Sequence, residues 1–474
     1  MNSLINRRGF LNGLGKGVLG GAAALTLGRY ASAESGNENL NFIFFLIDDF
    51  GWTDLACYGS SFYETPHVDR LAGQGMKFTD AYSACTVCSP TRAAVLTGKY
   101  PARVGVTDWI PGHNRPFAKL RVPAILNQLP LEETTIAEIL HPRGYACAHV
   151  GKWHLGGDPF YPDSQGFDIN IGGNHLGHPP SYFSPYKIPI LKDGPEGEYL
   201  TGRLGDEAVR FIEKNRDRPF FLYFAHYAVH NPLQAKKELI EYYQRKADPR
   251  AGQNNATYAA MIQSVDETVG RILDTLDKLG LADRTVIFFT GDNGGLLPNT
   301  SNAPLRAGKG SAYEGGVRVP LLVRWPGVTP PGSVCAEPVI SVDYFPTIAQ
   351  LAGVPVSEGA VDGESLAPLL KEPQAKLGRE AIYWHYPHYH PGGATPYGAV
   401  RKGDYKLIEF FEDGKLELYN LKDDVGESND LSRKQPELAS TLRRDLAAWR
   451  ERVNAQMPRP NPDYDPEKAG ERNR

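Results

Sequence analysis

The stretch Asn41-Phe42-Ile43-Phe44-Phe45-Leu46-Ile47-Asp48-Asp49 decides the fold class of this 474-residue chain. After its first residue the stretch is continuously apolar, and it ends abruptly in two carboxylates. A strand without polar alternation must be buried on both faces, as in a parallel sheet that helices cover on both sides. The sequence therefore predicts an α/β fold with an acidic pair at the carboxyl end of this strand.

Further apolar runs extend this pattern along the chain, at residues 145–150, 220–225, 285–290 and 320–325. Helical patterns lie between them, the clearest at 258–279. We expect a large mixed, mostly parallel sheet sandwiched by helices. Shorter strand patterns with Gly and Asp turns follow, at 381–384, 398–401, 405–411 and 416–420. With a helical segment at 436–453, they predict a small C-terminal antiparallel sheet with one packed helix.

The composition divides the chain into four parts. Residues 1–33 carry Arg7-Arg8, a short apolar stretch and the cleavage signature Ala31-Ser32-Ala33, which predicts a signal peptide of the twin-arginine kind. The alternative is a Sec signal with an incidental arginine pair. The apolar stretch is too short to span a bilayer, so we expect export to the periplasm or medium of a bacterium, without stable membrane insertion. We further expect a large N-terminal domain at 38–370, a C-terminal subdomain at 371–457 and a mobile tail at 458–474.

The charge balance excludes one class of partner. The chain has 51 basic and 55 acidic residues, for a net charge of −4. Nucleic-acid binding usually requires a large basic excess, so we expect no nucleic-acid partner.

The segment Cys88-Ser89-Pro90-Thr91-Arg92 holds a thiol in an unusual setting. If Pro90 lies in the first turn of a helix, Cys88 lies at the helix entrance, where backbone N–H groups and Arg92 favour an anion. Cys85 and Cys88 also form a C-x-x-C pair, so a redox pair, a zinc half-site and a buried inert thiol remain open. The other three cysteines stand singly, which disfavours zinc.

A second acidic strand end points to a metal. Asp292-Asn293 follows the apolar run at 285–290 and precedes two glycines, as Asp48-Asp49 follows the first strand. Each pair alone is typical of a turn or a helix cap. Together they form an all-oxygen ligand set, which suits calcium or magnesium rather than zinc.

Several cationic and imidazole side chains follow other predicted strands. Lys152 and His154 follow one, His230 follows another, with His226 the less favoured alternative, and Lys309 lies in a glycine-flanked loop. Each alone is an ordinary loop residue. Together they suit the binding of an oxyanion and the movement of a proton.

The ordered set of motifs resembles the type I, formylglycine-dependent sulfatases of the alkaline phosphatase superfamily, near the arylsulfatase A and N-acetylgalactosamine-sulfatase branches. The resemblance covers residues 40–455 and rests on Asp48-Asp49, Cys88-x-Pro90-x-Arg92 with Thr97-Gly98, Gly151-Lys152-x-His154, His230-x-Pro232, Asp292-Asn293, and Lys309 with Glu314-Gly315-Gly316. It implies that the domain at 38–370 is catalytic and hydrolyses sulfate esters.

In that family a separate maturation enzyme oxidises the cysteine to Cα-formylglycine, whose hydrate attacks the sulfur. The resemblance implies this fate for Cys88. It implies Ca²⁺ as cofactor, with the ligands Asp48, Asp49, Asp292 and Asn293. The other implied roles are Arg92 as support for the nucleophile and metal, Lys152 and Lys309 as sulfate clamps, His154 as the residue that orients or deprotonates the hydrate, and His230 as the acid for the leaving alcohol.

The substrate is less determined by the sequence. The resemblance favours a sulfated carbohydrate, namely a polysaccharide or glycosaminoglycan fragment. Within this class we expect a galactose sulfate or an N-acetylgalactosamine sulfate as the substrate. Candidate substrate-binding residues are His175, His178, His385 and His388, although the aromatic run at 383–390 equally fits a subdomain core. Two alternatives stay open: a phosphomonoester or phosphonate monoester hydrolase of the same superfamily, and a non-catalytic, calcium-dependent glycan-binding protein.

Overall fold

A computed structural model describes residues 40–248 and 252–472 of the chain. The predicted signal peptide at 1–33 lies outside these residues. The strands are β1 (Asn41–Ile47), β2 (Met76–Phe78), β3 (Ala81–Tyr82), β4 (Leu120–Arg121), β5 (Ala146–Gly151), β6 (Ile169–Ile171), β7 (Phe220–Ala225), β8 (Thr285–Gly291), β9 (Leu321–Arg324), β10 (Ser333–Cys335), β11 (Val339–Ile340), β12 (Ala381–Tyr386), β13 (Tyr397–Lys402), β14 (Tyr405–Phe410), β15 (Leu416–Asn420) and β16 (Arg459–Pro460).

The α-helices connect and cover these strands. They are α1 (Pro66–Gln74), α2 (Cys88–Thr97), α3 (Pro101–Val104), α4 (Ile136–Leu140), α5 (Leu200–Lys214), α6 (Lys237–Lys246), α7 (Ala256–Lys278), α8 (Glu314–Val317), α9 (Tyr344–Leu351), α10 (Ala367–Lys371) and α11 (Pro436–Arg452). None of the helices in the described ranges is both long enough and apolar enough to cross a membrane.

The large sheet has the strand order β10-β2-β9-β8-β1-β7-β5-β6. Strand β1 lies in its middle and pairs in parallel with β7 and β8. Alternate side chains of β1 enter two different cores. Ile43, Phe45 and Ile47 pack with α1, α5 and α7, while Phe42, Phe44 and Leu46 pack with α2, α4 and α9. The predicted mixed, mostly parallel sheet between helices is therefore confirmed.

The antiparallel part of this sheet lies at one side. Strand β9 pairs antiparallel with β8 and with β2. The chain reaches β9 from β8 through a loop and the short helix α8, without a covering helix of the kind that parallel neighbours need.

The C-terminal sheet is antiparallel, in the order β12-β13-β14-β15, and α11 packs on it, as predicted. A fully buried ion cluster joins this sheet to α8, the helix that precedes β9: Lys406 on β14 lies 2.9 Å from Glu314 of α8 and 3.0 Å from Glu427. The tail that the sequence predicts to be mobile contacts the body near its start. There β16 pairs with β4, and the Asn461 side chain donates to the carbonyls of Pro116 and Ala118.

Candidate active site

Four neighbouring strands deliver the predicted site residues to one edge of the sheet. Strands β8, β1, β7 and β5 are adjacent and parallel, so their carboxyl ends lie side by side. The segments that follow them are Asp292-Asn293, Asp48-Asp49, the loop to His230, and Lys152 to His154. This is the edge at which α/β proteins bind their ligands.

Cys88 is the first residue of α2, and Pro90 lies in the first turn, as the sequence predicts. Proline costs little there because the first N–H groups of a helix have no partner within the helix. Cys88 is buried, and its Sγ lies 3.3 Å from Nδ1 of His154. Cys85 and Cys88 are both free thiols rather than a disulfide.

The surroundings of His154 fix which ring nitrogen can accept a proton. Its Nε2 faces the carbonyl oxygen of Ile110, which can only accept, so Nε2 carries the hydrogen. Burial, with the nearby cation of Lys152, holds the pKa of His154 well below its usual value, so the ring is neutral. The lone pair of Nδ1 then points at position 88, and His154 is placed to take a proton from a group there.

Three buried oxygens at this edge have no hydrogen-bond partner: Oδ1 of Asp48, Oδ2 of Asp49 and Oδ1 of Asn293. Leaving such acceptors unsatisfied costs about 1–3 kcal/mol each. Burial and the neighbouring Asp292 raise the pKa of Asp48 well above its usual value, although Lys152 opposes them. Both observations fit a hard cation, which would satisfy the oxygens and favour the ionised carboxylate.

The fourth predicted ligand differs from the other three. Oδ1 of Asp292 accepts the backbone N–H of Asp49 at 3.1 Å, and Oδ2 accepts Nε and Nη2 of Arg92 at 2.9 and 2.7 Å. Arg92 also donates through Nη1 to the carbonyl of Lys152 at 2.9 Å. Arg92 therefore joins the ends of β8 and β5 and fixes the position of Asp292.

Two lysines complete the charge pattern. Nζ of Lys152 lies 2.6 Å from Oδ2 of Asp48, and Nζ of Lys309 lies 2.6 Å from Oδ1 of Asp49. Burial alone would raise the pKa of Asp49, but Lys309 and His230 lower it well below its usual range. Three carboxylates thus face three cations, and a bound divalent ion would leave the site positive and suited to an oxyanion.

His230 lies at the mouth of this cluster, with 18% of its side chain exposed. Its Nε2 is 3.6 Å from Oδ2 of Asp49, and its ring stacks on that of His178 with centroids 5.9 Å apart. Burial lowers the pKa of His230, and Asp49 opposes this. His226, the alternative, is buried, and its ring stacks on that of Phe224 with centroids 4.0 Å apart.

The predicted substrate-binding histidines divide into two groups. His175 and His178 are exposed in the loop beside His230. His385 and His388 are buried, where their Nε2 atoms bond the Gln456 carbonyl at 2.9 Å and the Thr107 hydroxyl at 2.8 Å. These two pack the small subdomain, which was the alternative for the aromatic run, so their assignment to the substrate is corrected.

One residue next to the site was not predicted. The ring of His390 lies so close to Gly310 that a Cβ there would come 2.0 Å from its Nδ1. Gly310 follows Lys309 directly. The signal was present in the sequence, because His390 ends the aromatic and histidine run at 383–390.

Comparison with known families gives two matches along the chain. Residues 40–354 match the family model "Sulfatase", and residues 308–452 match "N-sulphoglucosamine sulphohydrolase, C-terminal". A sulfatase of Formosa agariphila is 34% identical over 88% of this chain and 90% of that protein. Arylsulfatase A of Homo sapiens is 34% identical over 85% of this chain and 82% of that protein.

The solved structure of Ps i-CgsB in complex with k-i-k-neocarrahexaose is similar over most of the chain. It superposes with a TM-score of 0.75 at 32% identity and covers 87% of this chain and 92% of that one.

Proposed function

The chain belongs to the sulfatase family, whose members hydrolyse sulfate esters, and from this premise we propose that it removes sulfate from a sulfated carbohydrate by means of a formylglycine made from Cys88 and a bound calcium ion. The observation that carries the proposal is the contact of 3.3 Å between Cys88 and the basic nitrogen of His154, at the entrance of a helix. A galactose or N-acetylgalactosamine sulfate is the substrate we favour. Relatives named for N-acetylgalactosamine 6-sulfate and a neighbour bound to neocarrahexaose support this choice.

Asp48, Asp49, Asp292 and Asn293 would hold the calcium ion through their carboxylate and amide oxygens. When bound, calcium would withdraw negative charge from the sulfate oxygens and increase the acidity of a hydroxyl beside it. Arg92 keeps Asp292 oriented by its two N–H donors. Formylglycine, once hydrated, would supply that hydroxyl at position 88.

The lysines and histidines divide the remaining work. Lys152 and Lys309 offer ammonium groups to the non-bridging oxygens, where negative charge develops during hydrolysis. His154 takes the hydroxyl proton on Nδ1 as the hydroxyl oxygen at position 88 forms a bond to sulfur. As the bond between sulfur and the sugar oxygen breaks, His230 gives a proton to that oxygen. Burial lowers the pKa of His230, and the negative charge of a bound sulfate ester would oppose this effect as Asp49 does.

We also propose that the chain is a bacterial protein exported to the periplasm or beyond. Arg7-Arg8, the short apolar stretch and Ala31-Ser32-Ala33 support the twin-arginine route. Because that route carries folded proteins, the maturation enzyme would meet the chain in the cytoplasm. Cell fractionation of wild type and of an Arg7→Lys, Arg8→Lys variant tests this. Retention of the variant is expected, and equal export of both would contradict the route.

The activity is tested with protein co-expressed with a formylglycine-generating enzyme. Free sulfate is measured from the 4- and 6-sulfates of galactose and N-acetylgalactosamine, with calcium and with a chelator. We expect release by wild type with calcium, and none by Cys88→Ala. Hydrolysis of 4-nitrophenyl phosphate in preference to 4-nitrophenyl sulfate would favour the phosphoesterase alternative. If protein that carries formylglycine at position 88 binds a sulfated glycan but releases no sulfate, the non-catalytic alternative would be favoured.

A further inference from the structure

A group of cationic side chains surrounds the loop that carries His390. The carbonyl of His390 accepts Nη2 of Arg115 at 3.0 Å, and that of Pro391 accepts Nη2 of Arg472 at 2.8 Å. The guanidinium of Arg115 also lies over the Tyr389 ring, 5.3 Å from its centroid. Two arginines are thus fixed on one short loop.

This loop adjoins the active site. The His390 ring rests on Gly310, the residue after Lys309, and Nζ of Lys309 lies 2.6 Å from Asp49. His390 therefore contacts Arg115 through its carbonyl oxygen and the residue after Lys309 through its ring.

His113 adds a third group to the arginines. It lies two residues before Arg115 and stacks on Trp109 with ring centroids 6.1 Å apart. Burial lowers the pKa of His113 to about 4, and the cations of Arg115 and Arg472 contribute to this shift. The ring is therefore neutral at pH 7 and keeps one N–H to donate.

Several nitrogen atoms of this group have no hydrogen-bond partner among residues 40–248 and 252–472. Both ring nitrogens of His113 and Nε of Arg115 are buried without a hydrogen-bond partner. Over residues 40–248 and 252–472, neither arginine has a carboxylate oxygen within the 4.0 Å of an ion pair. Glu412 is the acid that acts on Arg115, and its Oε1 already accepts the Tyr389 hydroxyl at 2.7 Å. The group therefore offers an anion the unpaired Nε of Arg115, one N–H of His113 and the guanidinium N–H groups that the carbonyls of His390 and Pro391 leave free.

We propose that His113, Arg115 and Arg472 form a second anion subsite, which binds another sulfate or a carboxylate of the glycan whose scissile sulfate lies between Lys152 and Lys309. The inference rests on the proposed function and narrows it. The substrate class is a glycan with at least two anionic groups. Guanidinium groups suit this task because their planar N–H donors match the oxygens of sulfate and carboxylate.

The test measures how much one extra anion strengthens binding. Disaccharides that differ by one charged group compete with 4-nitrophenyl sulfate for the converted, calcium-loaded enzyme. The probes are neocarrabiose with one or two sulfates, and a monosulfated chondroitin disaccharide with a free or methyl-esterified carboxyl group. The first pair reports a second sulfate and the second pair reports a carboxylate.

In wild type we expect the extra anion to lower the inhibition constant about tenfold or more in at least one pair, as hydrogen bonds to a charged group do. Arg115→Ala and the exposed Arg472→Ala should reduce this ratio towards one. Arg121→Ala serves as the matched control, since Arg121 is exposed and paired with Asp463, and should keep the wild-type ratio.

A wild-type ratio near one in both pairs, or a ratio that survives in both variants, would overturn the second subsite. The proposed function fails by a separate result: wild type that carries formylglycine at position 88 releases sulfate neither from the probes nor from 4-nitrophenyl sulfate. Melting temperatures of the variants show whether they are folded, and Arg472→Ala removes only an exposed side chain.

Discussion

Replacing Arg92 with alanine should destabilise the protein severely, and more so without calcium. The side chain is 1% exposed and donates to Asp292 and to the Lys152 carbonyl, and Nη2 lies 3.7 Å from Asp48. Breaking a buried ion pair by removing one partner costs about 3–5 kcal/mol, because the other charge stays buried and unpaired.

The calcium dependence follows from the count of charges. Wild type sets the carboxylates of Asp48, Asp49 and Asp292 against Arg92, Lys152 and Lys309. The variant keeps the three carboxylates and two cations. Two like charges about 4 Å apart repel by about 4 kcal/mol at an effective dielectric constant near 20, and a bound divalent cation screens that repulsion. We therefore expect the loss in unfolding free energy to be larger in chelator than in calcium.

Urea unfolding of wild type, Arg92→Ala and Arg70→Ala, each with calcium and with a chelator, measures this. Arg70 forms a surface pair with Asp274, whose side chains are 35% and 63% exposed, so its removal should cost about 0–1 kcal/mol. A loss for Arg92→Ala no greater than that of the control would refute the reasoning. An equal loss in both solutions would refute the part that concerns the cation.

Two further perturbations address parts of the structure outside the metal ligands. Lys406→Met leaves Glu314 and Glu427 buried without their shared ammonium and should lower the free energy of unfolding in urea by about 3–5 kcal/mol. A loss below about 1 kcal/mol would show that the cluster does not hold the C-terminal sheet to α8. Burial raises the pKa of Asp108 to about 8, although the Tyr386 hydroxyl opposes this effect. Between about pH 4 and about pH 8 the folded state therefore binds more protons than the unfolded state, so the contribution of Asp108 to stability falls as the pH rises through this range. Asp108→Asn removes that contribution, so the decrease in unfolding free energy between pH 6 and pH 8 should be smaller than in wild type, and an identical decrease would contradict the assignment.

The sequence predicts the central sheet and the meeting of the acidic pairs because both follow from local pattern. A strand such as β1 that is apolar on both faces must lie inside a sheet. Parallel neighbours then bring their carboxyl ends to one edge, so Asp48 and Asp292 had to approach each other. Pro90 likewise located Cys88 at a helix entrance.

Other features depend on contacts that local pattern does not contain. The apolar run that became β9 reads like a parallel strand, but β9 pairs antiparallel with β8 and β2, because the connection from β8 carries only the short helix α8 and no helix that covers the sheet. In the run at 383–390, His388 became buried against Thr107, whereas His390 reached Gly310. Which imidazole neighbours Lys309 depends on how the subdomain packs on a distant loop, and spacing along the run does not determine it.

The central claim is that Cys88 serves as a precursor and not as a thiol. Peptide mass spectrometry of the active, exported protein tests it most directly, with turnover of a sulfate ester measured on the same sample. The account predicts an aldehyde in place of the thiol at position 88, with activity proportional to the converted fraction. An intact Cys88 thiol, or a Cys85–Cys88 disulfide, in fully active protein would contradict it.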